Sequence, residues 1–166
     1  MIIDQIAVGS NHADYQSLPA KELKETWNVP IYACEKEIDV LTDGQKSLVA
    51  GYFREPYTIT PDVTVKEGDE LSIAGFTWKV FETPGHTIGS CCYYIEKEEV
   101  LFSGDTLFAG SYGRTDFPTG SGRQIAESVR RLLSTLPDDT MVYPGHMDTT
   151  TIGFEKKYNP LSGAMR

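Results

Sequence analysis

Residues 83–90 read TPGHTIGS, and the same Pro-Gly-His tripeptide returns at residues 144–146 within YPGHMDTT. The chain of 166 residues contains only three histidines, so two of them follow the same Pro-Gly pair. Proline holds the preceding residue in an extended conformation, and glycine accepts backbone angles that other residues resist. The repeat therefore predicts two strands that end abruptly, each directing an imidazole beyond its end.

Two further apolar stretches also end in a glycine followed by polar residues that can bind metal. They are IAVGSNHAD, from residue 6, and VLFSGD, which closes at residue 105. In layered α/β proteins the carboxyl ends of strands converge on one crevice, where ligands bind. We therefore expect one pocket to collect the side chains that follow these strands, namely His12, Asp14, His86, Asp105 and His146.

Imidazole and carboxylate groups together are the ligand set of catalytic zinc or of non-haem iron, with an open position for water. Structural zinc would favour cysteine thiolates, and the three cysteines here lack a C-x-x-C spacing. For any one histidine taken alone, the alternative is an ordinary surface or hydrogen-bonded residue. Each cysteine is interpreted as a buried, reduced thiol.

Strand-like and helix-like segments alternate along the chain, which predicts a mixed α/β domain spanning residues 1–166. The strand-like segments are residues 2–8, 30–33, 63–82 with a hairpin turn at Ala74-Gly75, 90–95, 99–103 and 140–143. The helical segments are residues 20–27, 35–41, 121–136 and a last helix from about Thr149. Ser121 and Gln124 stand at the spacing of a capping box.

Composition excludes several classes of function. A net charge of −9 opposes the phosphate backbone, so nucleic acid is not an expected partner. No apolar run approaches the ~20 residues of a membrane span, and the first residues lack the pattern of a signal peptide. We therefore expect a cytoplasmic protein that acts on a small molecule.

Three separated blocks carry a resemblance to a known family: TPGHTIGS (83–90), LFSGDTLFAGSYGRTDFP (101–118) and VYPGHMDTTTIGFEKKYNP (142–160). In their order and spacing they resemble the metallo-β-lactamase fold, and within it the short glyoxalase-II-like hydrolases. The resemblance covers about residues 29–160. It implies an αββα sandwich in which a metal pair activates water, and hydrolysis of a thioester or related ester, glutathione thioesters being the type substrates.

The first metal motif of that family, His-x-His-x-Asp-His, is altered in this chain. The corresponding stretch is SNHADY (10–15): His12 and Asp14 match two ligands, whereas Ser10 and Tyr15 stand where histidines are expected. A serine oxygen is a weak substitute for imidazole, and a tyrosine phenol with a pKa of about 10 is mostly protonated at neutral pH. We therefore expect weaker metal binding than the family motif provides.

The resemblance also implies which residue does what. His12, His86 and Asp105 would hold a first ion, and Asp14, Asp105 and His146 a second, so the expected cofactor is one or two zinc ions, with iron as the alternative. Asp14 and Asp105 are the predicted catalytic carboxylates, and Asp14 would act as general base where the second ion is absent.

Two residues outside the ligand set are candidates for substrate binding. The loop at residues 110–117, GSYGRTDF, is expected to lie over the mouth of the pocket. Arg114 within it would meet a substrate carboxylate or instead pair with Asp116. Tyr143 would contact substrate or serve packing.

Two alternatives to a hydrolase remain open at this stage. One is a mononuclear iron oxygenase of the persulfide dioxygenase type, which shares the fold and a GRTDF-like loop. The other is a catalytically impaired fragment or pseudoenzyme, favoured by Ser10 and Tyr15. Family members also carry strands before the first metal motif, so we expect a sandwich that lacks its N-terminal strands. The exposed sheet edge would then favour a homo-oligomer.

Overall fold

The computed structural model describes residues 6–8, 18–43 and 58–163. Its helices are α1 (Leu18–Trp27), α2 (Ile38–Leu41), α3 (Gly122–Thr135) and α4 (Ile152–Tyr158). Single turns of 3-10 helix occur at Glu35–Glu37 and Glu96–Glu98. Its strands are β1 (Ile6–Val8), β2 (Ile31–Cys34), β3 (Val63–Val65), β4 (Glu70–Ile73), β5 (Phe76–Glu82), β6 (Cys91–Ile95), β7 (Val100–Gly104), β8 (Leu107–Phe108), β9 (Ser111–Tyr112), β10 (Met141–Pro144) and β11 (Thr150–Thr151).

The strands form two sheets and a small hairpin. The first sheet is parallel, in the order β1-β2-β3, and the second has the order β11-β10-β7-β6-β5-β4. In the second sheet β7 and β10 are parallel, while β6 lies antiparallel to both β5 and β7. Strands β5, β7 and β10 therefore run in one direction and end at the same edge. His86, Asp105 and His146 follow these three ends.

Three buried clusters divide the molecule into four layers. One cluster packs α1 and the α2 region against β2, a second lies between the sheets, and the third packs α3 and α4 against the second sheet. Strand β6 shows why both faces are occupied: Cys91 and Tyr93 join the cluster between the sheets, whereas Cys92 and Tyr94 join the helix side. The predicted αββα sandwich is confirmed.

Local sequence signals explain the main boundaries. The side chain of Ser121 accepts a hydrogen bond from the Gln124 backbone N–H (3.3 Å) and so caps α3. The apolar stripe predicted for this helix is buried in full: Ile125, Val129, Leu132, Leu133 and Leu136. Ala74 and Gly75 both have positive φ, +52° and +82°, which is the geometry of a type I′ hairpin turn.

Two short features were not predicted. The last helix begins at Ile152 rather than near Thr149, because Thr150 and Thr151 first pair with β10 as β11. Thr151 then caps the helix by accepting from the Phe154 N–H (3.2 Å). The β8–β9 hairpin was also missed, since two-residue strands carry no measurable alternation.

The cysteines agree with the interpretation as structural thiols. All three lie buried on described strands, and no disulfide joins them. Burial raises the pKa of the Cys34 thiol to about 11 and that of Cys92 to about 11, so both remain protonated at neutral pH. Within the described part of the chain, no helix has the length and apolar character that crossing a membrane requires.

Candidate metal centre

Asp105 lies at the centre of the site and meets both histidines. Its side chain is 2% exposed. One carboxylate oxygen, Oδ2, lies 3.4 Å from Nε2 of His86, and the other, Oδ1, lies 3.5 Å from Nε2 of His146. Each imidazole therefore faces its own oxygen of one carboxylate. We call the two His–Asp105 pairs half-sites.

These separations fit a shared cation better than direct hydrogen bonds. An N–H···O hydrogen bond has a nitrogen–oxygen distance of about 2.7–3.2 Å. Nitrogen and oxygen ligands at about 2.0–2.2 Å from one tetrahedral zinc ion lie roughly 3.4 Å apart. The measured 3.4 and 3.5 Å match the spacing of two ligands around an ion.

The other ring nitrogen of His86 determines what its Nε2 can do. Nδ1 lies 2.7 Å from the backbone carbonyl oxygen of Arg114. A carbonyl only accepts, so Nδ1 carries the proton, and in the neutral ring Nε2 presents a lone pair to Asp105. Two facing lone pairs repel each other unless a cation or a proton lies between them. This orientation of the imidazole by a backbone carbonyl is typical of metal-binding histidines.

The segment that carries His86 is closely held by α3. We call residues 83–90 the His86 loop. Ser121 donates its backbone N–H to the Gly85 carbonyl (2.7 Å), and the Ser128 hydroxyl donates to the Pro84 carbonyl (2.8 Å). A Cβ on Gly85 would lie 2.2 Å from the backbone nitrogen of Ile125, so glycine allows the loop to contact the helix directly.

The segment that carries His146, residues 144–149, is more open. A register shift between β10 and β7 pairs Pro144 with Gly104, and the Gly145 N–H donates to the Gly104 carbonyl (2.8 Å). This places His146 beside Asp105, yet its side chain is 47% exposed. The Phe108 ring and the imidazole pack perpendicular to each other, with centroids 5.9 Å apart. We call this segment the His146 loop.

Comparison with known families agrees with this architecture. The profile of the metallo-β-lactamase superfamily matches residues 20–146. This chain belongs to the metallo-β-lactamase superfamily. The structural resemblance inferred from the three sequence blocks is thereby confirmed.

Several curated proteins of the superfamily are similar to this chain. An uncharacterized protein of Aquifex aeolicus is 41% identical over 160 residues, covering 96% of this chain and 75% of the relative. The probable metallo-hydrolase YqgX of Bacillus subtilis is 35% identical, covering 93% and 74%. The hydroxyacylglutathione hydrolase GloC of Haemophilus influenzae is 42% identical over 95 residues, which are 57% of this chain and 45% of that protein.

Solved structures of the superfamily superimpose closely. The B3 metallo-β-lactamase BLEG-1 has a TM-score of 0.85 and 36% identity, covering 96% of this chain and 77% of that one. TTHA1623 in a di-iron-bound form has a TM-score of 0.84 and 31% identity, covering 96% and 78%. ETHE1 from Myxococcus xanthus has a TM-score of 0.76 and 30% identity, covering 96% and 63%.

For this superfamily member, the structure brings together three of the predicted ligands. The four residues at the ligand positions of the altered first motif lie outside the described residues: Ser10, His12, Asp14 and Tyr15. Within residues 6–8, 18–43 and 58–163, no group of three His, Cys, Asp or Glu side chains is arranged to hold an ion by itself. The described geometry is therefore that of two half-sites, and their further ligands remain a prediction.

The two predicted substrate-binding residues are both in other contacts. Arg114 forms a two-pronged ion pair with Asp116 (2.6 and 2.5 Å) and lies over the Phe117 ring, 4.6 Å from its centroid. Tyr143 stacks on Phe102, with centroids 5.6 Å apart. The structural alternative for Arg114, pairing with Asp116, is the one observed. Substrate contact by either residue stays a prediction.

The sequence did not indicate the two buried glutamates that accept hydrogen bonds from loops beside the metal centre. Glu155 is fully buried and accepts from the Gly110 N–H (2.9 Å), the Thr150 hydroxyl (2.7 Å) and the Asn159 amide (2.7 Å), which ties the β8–β9 hairpin to α4. Glu37 is buried in the same manner beside the His86 loop. Glutamate is normally exposed, so nothing in the local sequence distinguishes these two residues.

Proposed function

We propose that this chain is a metal-dependent hydrolase that cleaves a thioester or a related ester with metal-activated water. The observation that carries the proposal is the geometry at Asp105, whose two oxygens face two imidazole nitrogens at 3.4 and 3.5 Å. A buried carboxylate between two histidines is a donor set suited to zinc or iron. Membership of the metallo-β-lactamase superfamily supports the same chemistry.

The residues of the site have distinct roles in this proposal. Asp105 bridges the half-sites, and the Arg114 carbonyl keeps the His86 imidazole in the tautomer whose Nε2 can bind an ion. His12 and Asp14 would complete the ligand sets, and Asp14 would serve as general base where only one ion binds. A bound ion would lower the pKa of its water towards about 7 and polarise the substrate carbonyl.

The substrate class rests on similarity and on the walls of the site. The relative GloC is named a hydroxyacylglutathione hydrolase, and its 42% identity spans 57% of this chain. Phe117 and His86 pack with their rings roughly perpendicular, with centroids 5.5 Å apart, and Phe108 packs in the same manner with His146. These rings place apolar surface beside the imidazoles, which suits a small acyl group.

A second candidate is an iron-dependent oxygenase of the persulfide dioxygenase type. It is favoured by one observation, the iron bound by TTHA1623 at 31% identity. Imidazole and carboxylate ligands suit iron as well as zinc. Iron with oxygen uptake on a persulfide substrate would select this candidate over hydrolysis.

Elemental analysis combined with a thioester assay tests the proposal. The protein is purified without added metal, its zinc and iron are measured, and hydrolysis of S-lactoylglutathione is followed by thiol release. We expect bound metal and turnover that a chelator removes and added zinc restores. Substoichiometric metal with no turnover after zinc addition would contradict the proposal and leave a non-catalytic protein.

The altered motif supplies a matched pair of variants. Because Ser10 and Tyr15 stand at expected ligand positions, the double change Ser10→His and Tyr15→His should raise metal affinity by at least about tenfold. The control is Ser10→Ala with Tyr15→Phe, which supplies no imidazole. Equal metal affinity in both pairs would show that these positions do not face the site.

A further inference from the structure

Glu37 follows β2 of the first sheet, and its buried carboxylate forms hydrogen bonds with the His86 loop. Glu37 ends the 3-10 turn that follows β2 and is 1% exposed. Its Oε2 accepts a hydrogen bond from the Thr87 hydroxyl (2.8 Å) and another from the Gly89 backbone N–H (2.9 Å). Thr87 immediately follows His86, so one side chain fixes the backbone on the far side of the imidazole.

The close contact at Gly89 shows that this approach is built into the loop. A Cβ on Gly89 would lie 2.3 Å from the backbone nitrogen of Glu37, so any larger residue would separate the two segments. The Thr87 N–H donates to Ser90 Oγ (3.0 Å), and the two hydroxyls lie 2.8 Å apart. Glu37, Thr87 and Ser90 thus form one buried hydrogen-bonded network, in which each member restricts the others.

The network and the Arg114 carbonyl hold His86 from two sides. The carbonyl fixes the ring through Nδ1, whereas Glu37 accepts hydrogen bonds from the Thr87 side chain and the Gly89 backbone N–H. Burying a carboxylate is costly unless its oxygens accept hydrogen bonds, which a purely packing role would not require. The hydrogen-bond donors of the His86 loop therefore offset the cost of burying the Glu37 carboxylate.

We propose that Glu37 is a positioning residue for His86, acting through Thr87 and Gly89 to aim Nε2 at the half-site. This inference rests on the proposed metal-dependent function, since it assigns His86 as a ligand. It concerns orientation alone, because Glu37 itself contacts the loop and not the substrate. Loss of its two accepted hydrogen bonds should lower metal affinity by about 10–100-fold, as loss of outer-shell partners does.

The test compares Glu37→Leu, which has a similar size but no hydrogen-bond acceptor, with Glu35→Leu at an exposed glutamate in the same 3-10 turn. Affinity for Co²⁺ and Zn²⁺ is measured by competition with a chromophoric chelator, and the visible absorption of bound Co²⁺ reports ligand geometry. We expect Glu37→Leu to lose about 10–100-fold in affinity with an altered Co²⁺ spectrum, and Glu35→Leu to match the wild type.

A series at Thr87 separates positioning from folding. Thr87→Ser keeps the hydroxyl and should stay close to the wild type, whereas Thr87→Val should behave as Glu37→Leu does. Since the two residues act as one unit, the double variant should lose little more than either single variant. If Glu37→Leu does not fold, Thr87→Val alone provides the measurement.

The result that would overturn the inference is a folded Glu37→Leu protein with wild-type affinity and an unchanged Co²⁺ spectrum. A wild-type protein that binds neither metal would instead contradict the proposed function. In that case the metal-free proteins still decide the positioning role through the NMR signal of the His86 Nδ1 proton. Faster solvent exchange of that proton in Glu37→Leu supports the role, and an unchanged rate contradicts it.

Discussion

The His86 loop and the His146 loop contain the same tripeptide and meet the same carboxylate, yet their surroundings differ. The His86 side chain is 3% exposed, whereas that of His146 is 47% exposed. Pro-Gly supplies a strand end and a turn in both cases, but the neighbouring layers decide how firmly each imidazole is held. The tripeptide determines where a histidine lies, and the surrounding layers determine how deeply it is buried.

The difference follows from what each loop packs against. The His86 loop lies between α3 and the 3-10 turn after β2, with hydrogen bonds from Ser121, Ser128 and to Glu37. The His146 loop is joined to Gly104 by the hydrogen bond of the Gly145 N–H, and it includes Met147, which is 68% exposed with φ of +68°. We infer that substrate approaches from the His146 side and that the His86 half-site is the preformed one.

Removing the shared carboxylate should have the largest effect, because it damages both half-sites at once. Asp105→Asn keeps the size of the side chain but replaces a charged oxygen by a neutral amide. We expect metal affinity and hydrolysis to fall by at least about 100-fold. Metal content and thioester turnover are the measurements. Asp148→Asn, an exposed carboxylate in the His146 loop, is the control and should keep both.

Disturbing the contact between the His86 loop and α3 should have the next largest effect. Gly85→Ala would bring a methyl group to 2.2 Å from the Ile125 nitrogen at a φ of +142°. Overpacking and backbone strain each cost about 1–3 kcal/mol, so the free energy of unfolding should fall by about 3 kcal/mol. Chemical denaturation measures this.

The control for that change is Gly75→Ala in the β4–β5 turn. Gly75 also has a positive φ, +82°, but open space surrounds its Cβ position. Only backbone strain remains, about 1–2 kcal/mol. If both substitutions reduced the free energy of unfolding equally, close packing on α3 would not be what holds the His86 loop.

Replacing each of the two histidines should change the free energy of unfolding by a smaller amount. In metal-free protein, His86→Ala removes a buried ring together with its hydrogen bond to Arg114, and should lower the free energy of unfolding by about 1–3 kcal/mol. His146→Ala should change it by no more than about 0.5 kcal/mol, as exposed positions usually do. Denaturation in the presence of a chelator measures both. Equal losses would mean that the two loops are equally rigid.

Much of the fold was predictable because it follows local signals. Apolar periodicity and the Ser121 cap identified α3, and the Ala-Gly pair identified the β4–β5 turn. The convergence of His86, Asp105 and His146 follows from strand direction, since all three strands run the same way. What the chain order could not show is the register shift at Pro144 that brings His146 beside Asp105.

The supporting carboxylates were not predictable, for a physical reason. Glu37 bonds to Thr87 at a separation of 50 residues, and Glu155 bonds to Gly110 across 45 residues. Their role depends on hydrogen-bond donors supplied by distant loops, so no periodicity or local motif indicates them. Arg114 shows the converse: the sequence named a substrate carboxylate and Asp116 as alternative partners, and the one observed, Asp116, lies only two residues along the chain.

The smallest effect is expected for the solvent-exposed pair of Arg114 and Asp116, in the loop at residues 110–117. The hydrogen bond from Arg114 lowers the pKa of Asp116 from its usual 3.8 to about 2. Since the folded-state value is depressed, any stability from this pair is present above the unfolded value and is lost as pH falls towards 2. Both side chains are 63% exposed, so neutral-pH stability should hardly depend on them.

Arg114→Ala should therefore return the pKa of Asp116 towards 3.8 without changing the melting temperature at pH 7. An NMR titration of the carboxylate carbon measures the shift. Arg123→Ala is the control: it removes the partner of Glu127 on the exposed face of α3 and should leave the pKa of Asp116 unchanged. If Arg114→Ala also weakened metal binding, the guanidinium would be helping to hold the carbonyl that orients His86. The exposed end of the loop would then be coupled to the buried half-site.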